Sequence, residues 1–145
     1  MFDEGLRTGN ATLETSVPSW DEWDASHLAE PRLVALIEAE VVGWAALAPA
    51  SPRPVYAGVA EDSVYVAAHA QGHGVGRLLL ERLLADAERQ GIWTVQAAMF
   101  PDNEASIALH HACGFRTVGV RERLGKLDGV WRDVVLLERR SPLVR

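Results

Sequence analysis

Three glycines follow a β-prone segment closely enough to form a site for a phosphate group. Residues 63–66 are typical of a strand, residues 78–90 carry apolar side chains at helical spacing, and Gly72, Gly74 and Gly76 lie between them. Glycine lets a ligand approach the backbone, and the free N–H groups that open a helix attract anions. The segment is therefore predicted to bind a phosphate, with a tight strand-to-helix turn as the alternative.

The pattern around these glycines excludes two common nucleotide-binding loops. A Walker loop ends in Gly-Lys-Ser or Gly-Lys-Thr, and neither sequence occurs in the chain. A dinucleotide-binding loop follows the pattern G-x-G-x-x-G, but Arg77 stands where its last glycine would be. The pattern that remains is Gln71-x-x-Gly74-x-Gly76, directly after a strand.

The histidines do not form a recognisable metal site. His110 and His111 are neighbours on a predicted helix, so their side chains point about 100° apart. His69 and His73 lack the cysteines or carboxylates of a zinc-binding pattern. No metal is therefore expected. His73 lies in the glycine loop, where it could contact a phosphate, although the simpler expectation is that its side chain is exposed to solvent.

The composition predicts one globular domain in the cytoplasm. The chain has 145 residues, 48% of them hydrophobic, which suffices for a single core. A net charge of −6 argues against a nucleic-acid or anionic-membrane surface. Cys113 is the only cysteine, so no internal disulfide can form, and we expect it to be a small buried residue on a helix. No signal peptide or membrane span is recognised.

The order of local patterns predicts strands and helices in a mixed arrangement. Residues 1–8 resemble the end of a helix, 11–15 a strand, and Ser19 with Glu22 a capping box that opens a short helix to about Leu28. The later predicted elements are strands 32–38 and 41–47 around a turn at 39–40, a loop at 48–54, a strand leading from 55 to 66, a helix at 78–90, a strand at 93–98, a helix at 104–112, and a hairpin of 117–123 and 131–138.

Three separated motifs together resemble one family. They are the strand with loop 71–77, the segment 103–110 (NEASIALH) with 112–115 (ACGF), and the segment 129–136 (GVWRDVVL). Their order and spacing are similar to the phosphinothricin and methionine sulfone acetyltransferase branch of the GNAT superfamily of acyl-CoA N-acyltransferases. The resemblance extends from about Gly5 to Glu138.

The resemblance implies an α/β fold with a mixed, twisted sheet flanked by helices and splayed between two central strands. It also implies that residues 1–145 are a single GNAT domain that often works as a homodimer. Compared with the family pattern, the chain begins inside the first helix, so the first strand and half of that helix are expected to be absent.

The resemblance further implies that acetyl-CoA is the cosubstrate. The Val66 N–H would polarise the thioester carbonyl, as a backbone donor does without reorganisation. The residues implied in binding acetyl-CoA are Val64, Tyr65, Val66, Gln71, Gly72, His73, Gly74, Val75, Gly76, Arg77 and Asn103.

Acetyl transfer to an amine needs a base, because an ammonium has no lone pair with which to attack. Glu61 occupies the position at which the family places its base, and the neighbouring Asp62 is the alternative. His110 stands where related enzymes often carry a tyrosine acid, so it would protonate the leaving thiolate or only contact coenzyme A. Trp20 and Trp23 are expected to pack against the sheet, with a substrate role as the alternative, and Trp131 is expected to pack in the core, although it could also line the amine pocket or a dimer interface.

The acceptor implied by the resemblance is the primary amine of a small amino acid or analogue, such as phosphinothricin, methionine sulfoximine or methionine sulfone. Tyr56 belongs to the expected substrate site together with Glu61. Ala57 stands where relatives often have an arginine, and Arg53 could replace that guanidinium. The alternatives are another amine, such as a polyamine, an antibiotic or a peptide N-terminus, and a non-catalytic acyl-CoA-binding module.

Overall fold

The computed structural model describes residues 18–145, which form a six-stranded sheet with three α-helices. The helices are α1 (Trp20–Ser26), α2 (Val75–Arg89) and α3 (Glu104–Ala112). The strands are β1 (Arg32–Ile37), β2 (Glu40–Pro49), β3 (Val59–Val66), β4 (Thr94–Met99), β5 (Arg116–Leu127) and β6 (Val130–Arg140), in the sheet order β1-β2-β3-β4-β6-β5. The predicted mixed sheet flanked by helices is confirmed.

The centre of the sheet opens into a fork between its two parallel strands. β3 and β4 are aligned only at Val59–Thr94, Ala60–Val95 and Glu61–Gln96, whereas β3 continues to Val66 and β4 to Met99. All the other neighbouring strands are antiparallel. The expected splay between two central strands is therefore confirmed, and Glu61 and Gln96 lie at its base.

One apolar core lies between the sheet and the two longer helices. Four leucines of α2 are buried because they recur at helical spacing, and each such burial stabilises the fold by about 2–3 kcal/mol; they are Leu79, Leu80, Leu83 and Leu84. The side chains of β3 that face these helices are those of Ala60, Val64 and Val66. The fully buried residues of the core include Leu47, Ala60, Leu80, Leu83 and Leu137.

Two tight hairpin turns determine the register of the antiparallel strands. Glu38 and Ala39 join β1 to β2, Asp128 and Gly129 join β5 to β6, and all four have positive φ, as two-residue turns of type I′ require. The first turn was expected at residues 39–40, so that prediction was wrong by one residue. The final hairpin is longer than predicted at both of its strands.

The predicted starts of the central strand and of the central helix are wrong. Residues 54–56 form a 3₁₀ turn, in which the Tyr56 N–H donates to the Arg53 carbonyl at 2.9 Å, so β3 begins only at Val59. Proline at position 54 presets φ for this turn. The central helix begins at Val75 rather than at Leu78, which makes the second half of the glycine loop the first turn of α2.

Several other predictions from the pattern have a clear outcome. Ser19 caps α1, accepting a hydrogen bond from the Glu22 N–H at 3.2 Å, and the helix ends at Ser26, two residues before the expected Leu28. The helix at 104–112 is confirmed. The helix end at 1–8 and the strand at 11–15 lie outside the described residues. Within residues 18–145, no helix is both long and apolar enough to cross a membrane.

Gly58 gives a test of how tightly the start of β3 packs. A Cβ added at this buried glycine would lie 2.0 Å from the Trp93 ring. We expect Gly58→Ala to lower the free energy of unfolding by about 1–3 kcal/mol, because an overpacked site must shift its neighbours. The control is Gly119→Ala in β5, where a Cβ would meet no heavy atom within 4 Å. Urea denaturation followed by circular dichroism measures both, and equal stability of the two variants would contradict the prediction.

Candidate active site

The first turn of α2 presents three backbone N–H groups to the glycine loop. Gly74 is the residue before the helix and has φ +79°, a conformation that glycine adopts without strain. The first helical hydrogen bond runs from the Leu78 N–H to the Gly74 carbonyl at 3.1 Å. The N–H groups of residues 75–77 precede that bond, so they are available to an anion at the positive end of the helix dipole.

The absence of a side chain at Gly76 allows α2 to approach its neighbours closely. A Cβ there would lie 3.3 Å from Leu109 of α3 and 3.5 Å from Val66 of β3. Glycine at this position therefore brings the helix opening next to the end of β3. The guanidinium of Arg77 pairs with Glu81 at 2.7 Å, so the backbone amide of Arg77 remains the group directed at the loop.

Two residues near the fork carry side chains that are already hydrogen-bonded. Gln71 donates from Nε2 to the Val66 carbonyl at 3.3 Å, which ties the loop to the end of β3. Asn103 accepts a hydrogen bond from the Ser106 N–H at 3.3 Å and so caps α3 with its oxygen. A contact from Asn103 to coenzyme A would therefore use its amide nitrogen. His73 is exposed in the loop.

Some backbone N–H and C=O groups of β3 point into the fork between β3 and β4. Ala67 donates its N–H to Val42 of β2 at 2.8 Å. Because successive residues of a strand direct their backbone groups to opposite sides, those of Val64 and Val66 face β4. Within residues 18–145, the pairing of β3 with β4 ends at Glu61, so these groups can bind an extended ligand arm in the manner of an added strand.

Glu61 and Asp62 lie on opposite faces of the sheet. Ala60 belongs to the core beneath α2, and side chains alternate along a strand, so Asp62 faces the helices and Glu61 faces away from them. Burial raises the pKa of Glu61, a hydrogen bond from Gln96 partly offsets this effect, and the negative charge of Asp62 raises the pKa further. A carboxylate with a raised pKa is well suited to accept a proton near neutral pH.

Asp62 is instead paired with His110 inside the protein. The Nε2 atom of His110 lies 3.1 Å and 3.0 Å from the two carboxylate oxygens of Asp62, and the two side chains are 3% and 4% exposed. The Nδ1 atom lies 2.7 Å from the Ser106 carbonyl, and the ring packs edge-on against Phe115. Asp62, considered from the sequence as an alternative base, is thus committed to a buried partner.

The partners of His110 favour its protonated form. A carbonyl and a carboxylate only accept hydrogen bonds, so both ring nitrogens act as donors when the ring is an imidazolium. Burial opposes the charge on the ring, but the hydrogen bond and negative charge of Asp62, together with the Ser106 carbonyl, outweigh it and raise the pKa of His110. His111 points elsewhere, with its Nε2 2.9 Å from the Thr117 hydroxyl.

An open depression lies below the fork, at the end of the sheet where β3 and β4 begin. Its volume is about 500 Å³, and its lining includes Tyr56, Gln96 and Arg140. Gln96 also bonds to Glu61, so the depression adjoins the candidate base. The guanidinium of Arg53 lies 5.9 Å from the centroid of the Tyr56 ring, at a cation–π distance.

The aromatic side chains near the site only partly follow the expected packing. Trp23 meets Trp44 edge-on at 5.5 Å, and Trp44 stacks on Tyr65 at 4.8 Å, so this part of the sheet is covered as predicted. Trp20 is 66% exposed and Trp131 is 55% exposed, so the expectations that Trp20 packs against the sheet and that Trp131 packs in the core are wrong. Cys113, expected to be buried, is only half-buried and follows the last residue of α3.

Three contributors to the site were not predicted from the sequence. Gln96 was read only as part of a strand, Arg140 was not considered for the substrate side, and the pairing of Asp62 with His110 joins residues 48 positions apart. The sequence did contain a signal for the position of Asp62. Side chains alternate along a strand, so Asp62 had to lie on the opposite face of β3 from Glu61.

Comparisons with known proteins agree with this geometry. Residues 5–115 match the Acetyltransferase (GNAT) family. The phosphinothricin N-acetyltransferase of Alcaligenes faecalis is 40% identical, with 96% of this chain and 74% of the relative covered. The L-methionine sulfoximine/L-methionine sulfone acetyltransferase of Pseudomonas aeruginosa is 37% identical over 68% of this chain, and the match spans 58% of that relative's length.

A solved structure supports the same assignment. The crystal structure of a GNAT superfamily phosphinothricin acetyltransferase from Sinorhizobium meliloti in complex with acetyl-CoA superimposes with a TM-score of 0.85 and 30% identity, covering 96% of this chain and 78% of the other. The family expected from the motifs is confirmed by sequence and fold together. The chain belongs to the GNAT family of acetyltransferases.

Proposed function

We propose that this chain transfers the acetyl group of acetyl-CoA to the primary amine of a small amino acid or analogue of the phosphinothricin or methionine sulfone type. The observation that carries the proposal is the position of Glu61, a carboxylate with a raised pKa at the base of the fork between β3 and β4. Relatives named for these substrates support the acceptor class.

The residues that would hold acetyl-CoA fit a long ligand that carries a diphosphate. The N–H groups of residues 75–77 suit a diphosphate at the opening of α2, with Gly72 and Gly74 leaving the loop backbone open to it and Gln71 and His73 beside it. The backbone groups of Val64 and Val66, which face the fork on either side of Tyr65, suit the amide-containing arm. Bound acetyl-CoA supplies a thioester, which is an activated acyl group.

Glu61 acts as the base in this proposal. An amino acid's amine is mostly protonated at neutral pH, and it attacks a carbonyl only after losing that proton, directly to Glu61 or through a water. The Val66 N–H, which faces the fork, is placed to donate to the carbonyl oxygen as negative charge builds there. The chain thus contributes a proton acceptor on one face of β3 and a fixed dipole from its backbone.

The side chains below the fork suit an acceptor with a carboxylate. Arg140 lines the depression beside Gln96, and its Nη2 lies 3.4 Å from Glu138. Tyr56 lines the same depression from the loop between β2 and β3, and the guanidinium of Arg53 lies 5.9 Å from the centroid of its ring. Guanidinium groups bind carboxylates with two hydrogen bonds, so these residues favour an amino acid over a polyamine.

We also propose that the protein is a cytoplasmic homodimer. The β5–β6 hairpin exposes Val118, Val120, Leu124, Val130 and Trp131, an apolar set typical of an interface. A single cysteine fits a reducing compartment. Sedimentation should give twice the chain mass of 15.8 kDa, and cell fractionation should recover the protein with cytosolic markers. A monomer at micromolar concentration, or recovery with membranes, would contradict the respective part.

The glycine loop can be tested with a pair of glycines that share one backbone conformation. Gly74 has φ +79° and Gly129 has φ +78°, and a Cβ at either would meet no heavy atom within 4 Å. Replacement by alanine should therefore cost both variants a similar ~1–2 kcal/mol of stability. Only Gly74→Ala should also weaken coenzyme A binding, by about tenfold or more, because its methyl group stands where a diphosphate approaches the amides. Isothermal titration calorimetry measures the affinities, and equal affinities would exclude this loop as the diphosphate site.

The base can be tested by Glu61→Gln, with the exposed Glu122→Gln of β5 as the matched control. We expect Glu61→Gln to lower kcat by about 10²–10⁴-fold with methionine sulfone, while acetyl-CoA affinity is retained. Wild-type kcat/KM should rise with pH through the raised pKa of Glu61, since the base must be ionised, and the variant should lose that rise. A thiol-release assay reports both rates, and an unchanged rate for Glu61→Gln would remove this residue from the mechanism.

A further inference from the structure

The pair formed by Asp62 and His110 is a buried charge pair that the proposed chemistry has not yet used. It joins β3 to α3 on the helical side of the fork, one residue beyond the last aligned pair of β3 and β4. The two side chains are 4% and 3% exposed, so neither is solvated. The pair therefore lies beside the place where β3 begins to offer its backbone to a ligand.

Stability alone is a poor explanation for this pair. Removing two charges from water costs several kcal/mol, and apolar side chains of similar volume often serve a core equally well. Apolar groups also lie beside the pair, with Phe115 against the ring and Val64 next on the same face of β3, while Ser106 meets the ring with its carbonyl at 2.7 Å and its hydroxyl at 3.4 Å. A chain that keeps a hydrogen-bonded ion pair at this position retains a fixed dipole and a fixed ring orientation there.

We propose that Asp62 is a positioning residue for acetyl transfer, which holds the His110 imidazole in one orientation and in its protonated form on the helical side of the fork. This inference rests on the proposed function, because it assigns a role in that same reaction. Asp62 makes no direct contact with the reacting groups in this account. It acts through His110, as a carboxylate orients a histidine in other enzymes.

The effect of this arrangement is electrostatic. Negative charge builds on the carbonyl oxygen during attack and then on the departing sulfur, and the protonated pair carries no net charge that would oppose it. Loss of the His110 proton would leave the Asp62 carboxylate as an uncompensated negative charge, which acts more strongly in a poorly solvated site than it would in water. Without the Asp62 carboxylate, burial would leave His110 neutral, and the ring would lose the partner that fixes its Nε2–H.

The charged groups around the ring identify Asp62 as the partner that matters. From β3 the ring meets the carboxylate of Asp62, and from α3 the Ser106 carbonyl. On α2, Arg77 and Glu81 face Cys113 and pair with each other, and on β6 Arg139 pairs with Glu88. β5 contributes the apolar Phe115. Glu61 is the next residue to Asp62 but points to the other face.

A histidine with a raised pKa also links the pair to stability. Protonated His110 stabilises the fold fully below the pKa it has when unfolded, and this contribution is lost as pH rises through its higher folded pKa. The wild-type protein should therefore lose stability as pH rises through the raised pKa of His110, in a way that a variant without Asp62 does not. This gives a readout that is independent of turnover.

The experiment compares the wild-type protein with Asp62→Asn, which keeps the side-chain shape, and with Asp86→Asn, a control carboxylate that pairs with Arg82 and Arg89 on α2. Heteronuclear NMR titration of the histidine rings follows His110 in the protein without ligand. We expect Asp62→Asn to lower the pKa of His110, to lower kcat by about tenfold or more at the pH values at which the wild-type ring is still protonated, with little change in the KM for acetyl-CoA, and to move the alkaline limb of the kcat profile to lower pH. Asp86→Asn should leave all three unchanged.

The possible results distinguish failure of the positioning role of Asp62 from failure of the proposed acetyl transfer. A shifted His110 pKa with an unshifted kcat profile would overturn the positioning role and leave a structural pair. An unshifted pKa would overturn the inference itself. If the wild-type chain releases no thiol with any amine, the proposed function fails, while the titration still reports on the pair. If Asp62→Asn does not fold, His110→Gln should show the same loss of kcat without a change in KM, and an unchanged kcat would overturn the proposal.

Discussion

The divergence of β3 from β4 is the constraint on which the rest of the site depends. Backbone N–H and C=O groups need partners, and a ladder of only three aligned pairs leaves the end of β3 without a neighbouring strand on that side within the described chain. Polar groups in such a gap favour a ligand that can add as an extended strand. The opening of α2 lies at the far end of the same strand, because Gly76 lets the helix approach Val66. The fork between β3 and β4 therefore extends from the anion site at the opening of α2 to the carboxylate of Glu61.

The alternation of side chains gives two neighbouring carboxylates different roles. Glu61 lies beside Gln96 on the face that carries the depression, and its pKa is raised by burial. Asp62 lies on the helical face and pairs with His110, whose pKa it raises. The separation of these two carboxylates follows from one step along a strand.

The parts of the fold that depend on local sequence were predictable, and those that depend on distant contacts were not. The cap of α3 by Asn103 follows from residues three apart, as does the cap of α1 by Ser19. The early start of α2 brings Gly76 close to Leu109 of α3, a contact between distant residues that no local pattern contains. The start of β3 was missed because the turn after Arg53 is stabilised by bonds within the loop and by the packing of Gly58 on Trp93.

The same distinction applies to the site. The glycine loop and Glu61 were recognisable because their spacing is contained in one short segment. The partner of Asp62 is 48 residues away, and that of Glu61 lies on the adjacent parallel strand, so both required the fold. Arg140 reaches the depression only because β6 is aligned with β4 at Thr94.

A crystal structure of the protein with acetyl-CoA would test the central claim, that the fork and the opening of α2 form one binding site, most directly. We expect a diphosphate within hydrogen-bond distance of the N–H groups of residues 75–77 and the thioester between β3 and β4, just beyond Glu61 and Gln96. A cofactor bound elsewhere on the sheet, or a diphosphate at this helix with its arm directed out of the fork, would contradict it.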